Sequence, residues 1–173
     1  MKAAKDFTKS PASTRTYLSL GSNLGDRSEN LRAGIDRLRQ CGKIIAISPF
    51  YETEPMELRD QPWFVNCVIA LDTELSATEL LARIQEIEAE LGRKRQVSKG
   101  PRTLDIDILL FGDQVIDGKD LRIPHPAMEE RRFVLEPLVE IAPNVRHPVS
   151  GKSVQKLLED LGRDAGQVIR LSK

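Results

Sequence analysis

Apolar positions alternate or recur at helical spacing along most of the chain, and this divides it into short elements. Tyr17-Leu18-Ser19-Leu20 is a strand ended by Gly21. Leu31, Ile35 and Leu38 recur with helical period behind Asp26, and Glu29 stands three residues after it. That predicts a capped helix running to about Gly42. Residues 44–51 are β-branched and aromatic, hence a second strand. Residues 52–62 are polar, contain Pro55 and Pro62, and form a loop. Residues 63–72 are a third strand. Ser76-Ala77-Thr78-Glu79 is a capping box opening a helix with one apolar stripe of Leu80, Ile84, Ile87 and Leu91, stopped by Gly92.

The next apolar run differs because two acids interrupt it: Leu104-Asp105-Ile106-Asp107-Ile108-Leu109-Leu110-Phe111. Side chains two apart share a strand face, so Asp105 and Asp107 point the same way, roughly 6–7 Å apart at Cα. Ile106, Ile108 and Leu110 then point into a core. Gly112-Asp113 is a hairpin turn into residues 114–116, and Pro124-His125-Pro126 is a rigid bend. Short helices over 128–138 and 154–161, and a short strand over 167–171, complete the chain. The order strand, helix, strand, strand, helix, strand predicts an α+β fold, a ferredoxin-like βαββαβ sandwich. Its sheet is mainly antiparallel, a C-terminal extension follows, and the sheet face opposite the two helices stays free for a site.

Composition narrows the class. The chain has 173 residues, 40% hydrophobic and 30% charged, which suits one soluble domain over 15–173. Residues 1–14 are polar without the apolar stretch of a signal peptide, and read as a disordered tail. Lys+Arg and Asp+Glu are both 26. This balance argues against a nucleic-acid or membrane-surface partner. Cys41 and Cys67 are far apart in apolar surroundings, as buried thiols of a reducing cytoplasm. The expectation is a cytoplasmic monomer.

Charge is nonetheless segregated. The loop containing Arg93, Lys94, Arg95 and Lys99, followed by Arg102, runs directly into the acidic strand. An Asp-x-Asp strand alone is most simply read as acids paired with nearby arginines, and a basic loop alone as a solvated one. Side by side they suit a polyphosphate–metal complex: carboxylates hold Mg²⁺, the metal bridges phosphate oxygens, and arginines clamp the rest. His125, stiffened between two prolines, is placed to donate to a phosphate or a leaving oxygen, although a lone histidine is more often structural. Phe64 and Asn66 share a strand face, and an aromatic plane beside an amide suits a flat heterocycle, with core packing as the rival reading. Gly21-Ser22-Asn23-Leu24-Gly25 lacks the P-loop and dinucleotide patterns and is read as a tight turn near a site.

Together these segments resemble the 6-hydroxymethyl-7,8-dihydropterin pyrophosphokinase family of folate biosynthesis. The resemblance rests on Leu20-Gly21-Ser22-Asn23-Leu24-Gly25, Phe50-Tyr51-Glu52-Thr53, Gln61-Pro62-Trp63-Phe64-Val65-Asn66, Leu91-Gly92-Arg93, Gly100-Pro101-Arg102-Thr103-Leu104-Asp105-Ile106-Asp107 and Ile123-Pro124-His125-Pro126. It implies attack of the pterin hydroxymethyl oxygen on the β-phosphorus of ATP, with AMP leaving. It implies two Mg²⁺ on Asp105 and Asp107, with Arg93, Arg95 and Arg102 as phosphate clamps. Gln85, Glu88, Ile108, His125 and Arg131 would complete the nucleotide side. Phe64 and Phe133 would sandwich the pterin, Thr53 and Asn66 would bond its edge, and Glu54 and Met56 would add backbone contacts. Loops 52–62 and 93–99 would close over the ligands. Lys99 stands where many members carry Trp. The rival classes are a non-catalytic ligand-binding scaffold and a metal-dependent nucleic-acid enzyme.

Overall fold

The structure, a computed structural model, describes residues 12–92 and 100–172. The expected tail lies largely, and loop 93–99 with Arg93 and Arg95 wholly, outside the described residues.

The first strand, β1 (Thr14–Ser22), begins three residues before its apolar run. Helix α1 (Arg27–Leu38) starts where the sequence placed it, Asp26 Oδ1 accepting the Glu29 N–H at 3.0 Å, and ends four residues short of Gly42. The predicted strand 44–51 is two strands, β2 (Lys43–Ile47) and β3 (Tyr51–Thr53). Pro49 lies between them and has no N–H for a ladder. Ser48 Oγ accepts the Val68 N–H at 2.9 Å instead of a strand carbonyl. The predicted loop 52–62 therefore begins after Thr53. The long strand β4 (Phe64–Thr73) pairs with β1, β2 and β3. Helix α2 (Ala77–Glu90) carries the full capping box: Ser76 Oγ accepts the Glu79 N–H at 3.2 Å, and Glu79 accepts the Ser76 N–H at 2.7 Å.

Strand β5 (Asp105–Phe111) lies at one edge of a six-stranded antiparallel sheet. The order runs β5-β1-β4-β3 and ends in the C-terminal strand β8 (Val168–Arg170), while β2 pairs beside β3 on β4. Residues 112–116 do not fold back on β5 as a hairpin. Gln114 N–H closes a turn on Phe111 O, and β6 (Ile116–Asp117) pairs with β7 (Arg122–Ile123) in a separate ribbon.

One face of the sheet is packed by α1 and α2 on Leu18, Leu20, Val65, Cys67, Ile106 and Ile108, with Leu31, Ile35, Leu80 and Ile84 from the helices. The opposite face is not free, contrary to the sequence expectation. The helix expected over 128–138 is a 3₁₀ turn at Met128–Glu130 followed by α3 (Arg132–Ile141), and α4 (Val154–Leu161) stands where the sequence placed it. Together α3 and α4 cover Tyr17, Val68, Ala70, Leu109 and Leu110. Leu110 thus faces away from Ile106 and Ile108. The reason is a bulge: Leu18 pairs with Ile108 but Tyr17 with Leu110, so Leu109 is the extra residue and alternation resets there. What stays open is the other end of the same face.

Candidate active site

Three strands build the open end. In register, Ser19 lies opposite Asp107 and Gly21 opposite Asp105, while on the other side of β1 Gly21 lies opposite Asn66. Cross-strand partners share a face, so the two acids look across small residues toward the amide. A Cβ on Gly21 would stand 2.5 Å from Asn66 Oδ1, so glycine there is a requirement of the site floor. Asn66 donates to Thr53 Oγ1 on β3, and both are buried.

The cavity over this floor brings together Thr53, Glu54, Met56, Phe64, Asn66, Arg102, Asp105, Asp107, Arg131 and Phe133. Those ten of the sequence-named residues line it. Arg102 Nη1 lies 3.4 Å from Asp105 Oδ2, and its guanidinium sits 5.6 Å from the Phe64 ring centre. Its Nε is buried without a hydrogen-bond partner among the described residues. Arg131 sits over Phe133 at 5.6 Å and 3.9 Å from Glu57 Oε1. Its neighbour Arg132 is used elsewhere, bonding Glu136 at 3.1 Å and Gly162 O at 2.6 Å.

Electrostatics mark Asp107 as the unusual acid. Burial first, then the Asp105 charge, pushes its carboxyl up to about 7. A carboxylate that binds a proton this readily calls for a cation, and Asp107 beside Asp105 is a donor pair of the hard-oxygen type that Mg²⁺ takes. Beside them, burial and then Arg131 push His125 down to about 4, so its ring is neutral near pH 7. Nδ1 accepts the Ala127 N–H at 3.1 Å, which leaves the ring proton on Nε2 as a donor.

Four described residues named from the sequence stand outside the cavity lining: His125, Gln85, Glu88 and Ile108. Gln85 is exposed on α2. Glu88, three residues on, is only 5% exposed, and its Oε1 accepts the Ile106 N–H at 2.8 Å. Ile106 therefore turns its N–H toward the open edge of β5, and by residue parity the Ile108 backbone lies along that same edge. The Ile108 side chain is in the core. Arg93 and Arg95 are outside the described residues.

The sequence reading missed Ser19, Gly21, Pro55, Glu57 and Gln61, which also line the cavity. A signal existed for two of them: Tyr17, Ser19 and Gly21 alternate and shrink toward the strand end, the pattern of a face losing its cover.

The arrangement puts two acids, two arginines and a neutral histidine donor beside a pair of phenyl rings and a buried amide. It can hold a metal-bound polyphosphate against a flat, hydrogen-bonding ring.

Comparison with known proteins agrees. The family described as 7,8-dihydro-6-hydroxymethylpterin-pyrophosphokinase (HPPK) matches residues 17–143. The 2-amino-4-hydroxy-6-hydroxymethyldihydropteridine pyrophosphokinase of Pseudomonas aeruginosa is 46% identical over 146 residues, 83% of this chain and 90% of that protein. The protein of the same name from Aquifex aeolicus is 44% identical over 140 residues, 81% of this chain and 88% of its own length. Among solved structures, a Plasmodium falciparum HPPK-DHPS crystallised with STZ-DHP superposes with a TM-score of 0.71 at 18% identity, over 86% of this chain. This chain spans 43% of that longer one, and at this identity the likeness speaks for the fold alone.

Proposed function

The chain belongs to the 7,8-dihydro-6-hydroxymethylpterin-pyrophosphokinase family, and from that premise we propose how its site works. The protein is a pyrophosphokinase of folate synthesis that uses ATP and 6-hydroxymethyl-7,8-dihydropterin. In our reading the pterin hydroxymethyl oxygen attacks the β-phosphorus of ATP. The bond from that phosphorus to the α-phosphate oxygen breaks, and AMP leaves. Residues 15–173 act as one catalytic domain, a cytoplasmic monomer. The order β5-β1-β4 with β2 and β3, α1 before β2 and α2 before β5, supports the ferredoxin-like assignment.

The observation that carries this reading is the placement of Asp105 and Asp107 in one cavity with Arg102, Arg131 and the Phe64–Phe133 pair. Asp105 and Asp107 would hold two Mg²⁺. When bound, these would supply positive charge that offsets the charge of the phosphate groups. Arg102 and Arg131 hold the transferred diphosphate by charge-assisted bonds, with Arg93 and Arg95 assigned to the same work. His125 donates Nε2–H to a phosphate oxygen and, being neutral, needs no change of protonation to do so. Gln85, Glu88 and the Ile108 backbone edge form the nucleotide side. Phe64 and Phe133 flank the pterin ring, Thr53 and Asn66 exchange their mutual bond for bonds to its edge, and Glu54 and Met56 close the loop over it. No residue forms a covalent intermediate; alignment and charge neutralisation lower the barrier.

The test is to mix the protein with ATP, Mg²⁺ and 6-hydroxymethyl-7,8-dihydropterin and identify the nucleotide released. Pterin-dependent AMP is expected. ADP would place the attack at the wrong phosphorus and overturn the reading.

A further inference from the structure

The turn Gly21–Gly25 stands out in the sequence and is left without a role by the mechanism above. Its Asn23 is 2% exposed. The amide is fully used, and its partners come from both sides of the cavity. Asn23 Oδ1 accepts the Arg102 N–H at 2.8 Å, and the Asn23 N–H donates to Arg102 O at 3.1 Å. Asn23 Nδ2 donates to Gln61 Oε1 and to Pro62 O, both at 3.0 Å. Since Nδ2 faces two oxygens and Oδ1 faces an N–H, the orientation of the amide is fixed by its surroundings.

Those partners are not equivalent. Arg102 is the phosphate clamp that also reaches Asp105. Gln61 and Pro62 end the loop that leads through Trp63 into Phe64 on the ring side. Gln61 also holds the loop to itself through Leu58 O at 2.7 Å. One buried side chain therefore links the backbone of the phosphate clamp to the loop that covers the ring. Only an amide serves, because the clamp needs an acceptor and the loop needs two donors.

Resting on the function proposed above, we propose that Asn23 is a positioning residue that couples the two substrate half-sites, so that occupancy of the phosphate side sets the ring-side loop. Asn23 does not itself line the cavity. A coupling of this kind is an energy shared between two binding events, so its removal shows in the dependence of one affinity on the other.

The experiment measures steady-state parameters for both substrates. It also measures the pterin dissociation constant with and without a non-hydrolysable ATP analogue, in wild type and three variants. Asn23→Asp keeps the bond from the Arg102 N–H but sets an acceptor against the Gln61 and Pro62 oxygens. Its KM for pterin should rise about 10-fold or more, with the KM for ATP within about 2-fold. Gln61→Ala removes one partner from the loop side and should move the same constant in the same direction, by less. Asn23→Ala releases both halves, so kcat should fall as well, and the analogue should lose its effect on pterin affinity. Because Asn23→Ala risks misfolding, the proposal stands or falls on Asn23→Asp and Gln61→Ala, with thermal melts alongside. Wild-type constants in both folded variants would overturn it. So would losses of kcat and both KM values in step with the folded fraction, since that is what a merely structural bond gives. A wild-type protein that makes no AMP removes the function reading, and this inference with it.

Discussion

Along β1, β4 and β5 the face opposite α1 and α2 changes character within two residues. On β4, Val68 and Ala70 lie under α3 and α4, while Asn66 and Phe64 open into the cavity. On β1 the change falls between Tyr17 and Ser19, and on β5 between Leu109 and Asp107. The covered half gains stability from apolar area removed from water, and any polar group placed there costs free energy unless bonded. The open half does the reverse. It keeps Asp107 in a setting that resists ionisation and leaves Arg102 Nε unbonded among the described residues. The site is the part of one sheet face from which the C-terminal helices withhold cover.

The largest expected contrast comes from Asp107→Asn. On the mechanism proposed above, turnover should fall by about 10³-fold or more, since the charge proposed to hold Mg²⁺ would be lost. The ligand-free protein should nevertheless gain stability at neutral pH. The folded carboxyl is raised from 3.8 to about 7. Between those values the unfolded chain has released its proton while the native state still holds it. Stability therefore declines as pH rises from about 4 to about 7, and the loss is complete above that. Melting temperature against pH should show this slope in wild type and a flatter curve in the variant. A variant that melts lower than wild type at pH 8 would break the comparison.

Next in size is the exchange of character between halves. Asn66→Leu makes the open end resemble the covered one. We expect the pterin KM to rise by about 10–100-fold, the worth of lost buried hydrogen bonds, with little loss of stability. Leu157→Ala does the opposite under the covered half. It should cost about 2–5 kcal/mol in denaturant unfolding, with kcat intact while the protein is folded. If the two variants traded effects, the division of the face would be wrong.

The smallest effect concerns the rim. Gly166 has φ +88°, and a Cβ there would stand 2.7 Å from Met56 Sδ. Just after it, Gln167 O accepts the Glu54 N–H at 3.1 Å, and the Gln167 N–H donates to the Glu54 side chain at Oε2, 3.4 Å away. Gly166→Ala should displace the loop at Met56 and raise the pterin KM a few-fold. Constants for ATP should stay unchanged, as steady-state kinetics would show.

Much of this was legible in the chain itself. The capping box at Ser76 and the N-cap at Asp26 fix helix starts by local hydrogen bonding. The Asp-x-Asp alternation puts two acids on one face whatever surrounds them. Period and cap are local properties, so sequence carries them. Other features needed the tertiary structure. That Leu110 leaves the face of Ile106 follows from a bulge seen only against β1. The splitting of residues 44–51 follows from the partner Ser48 finds in Val68. That Arg131 rather than Arg132 lines the cavity follows from Glu136 and Gly162 occupying the other. The pairing of Gly21 with Asn66 and the linkage through Asn23 join residues tens of positions apart, and their spacing holds no trace of it. The sequence by itself determined which elements form and which chemical groups they carry. The tertiary structure decided which groups meet and which half of the sheet stays open, because burial and hydrogen-bond partners are shared between distant segments and belong to none of them alone.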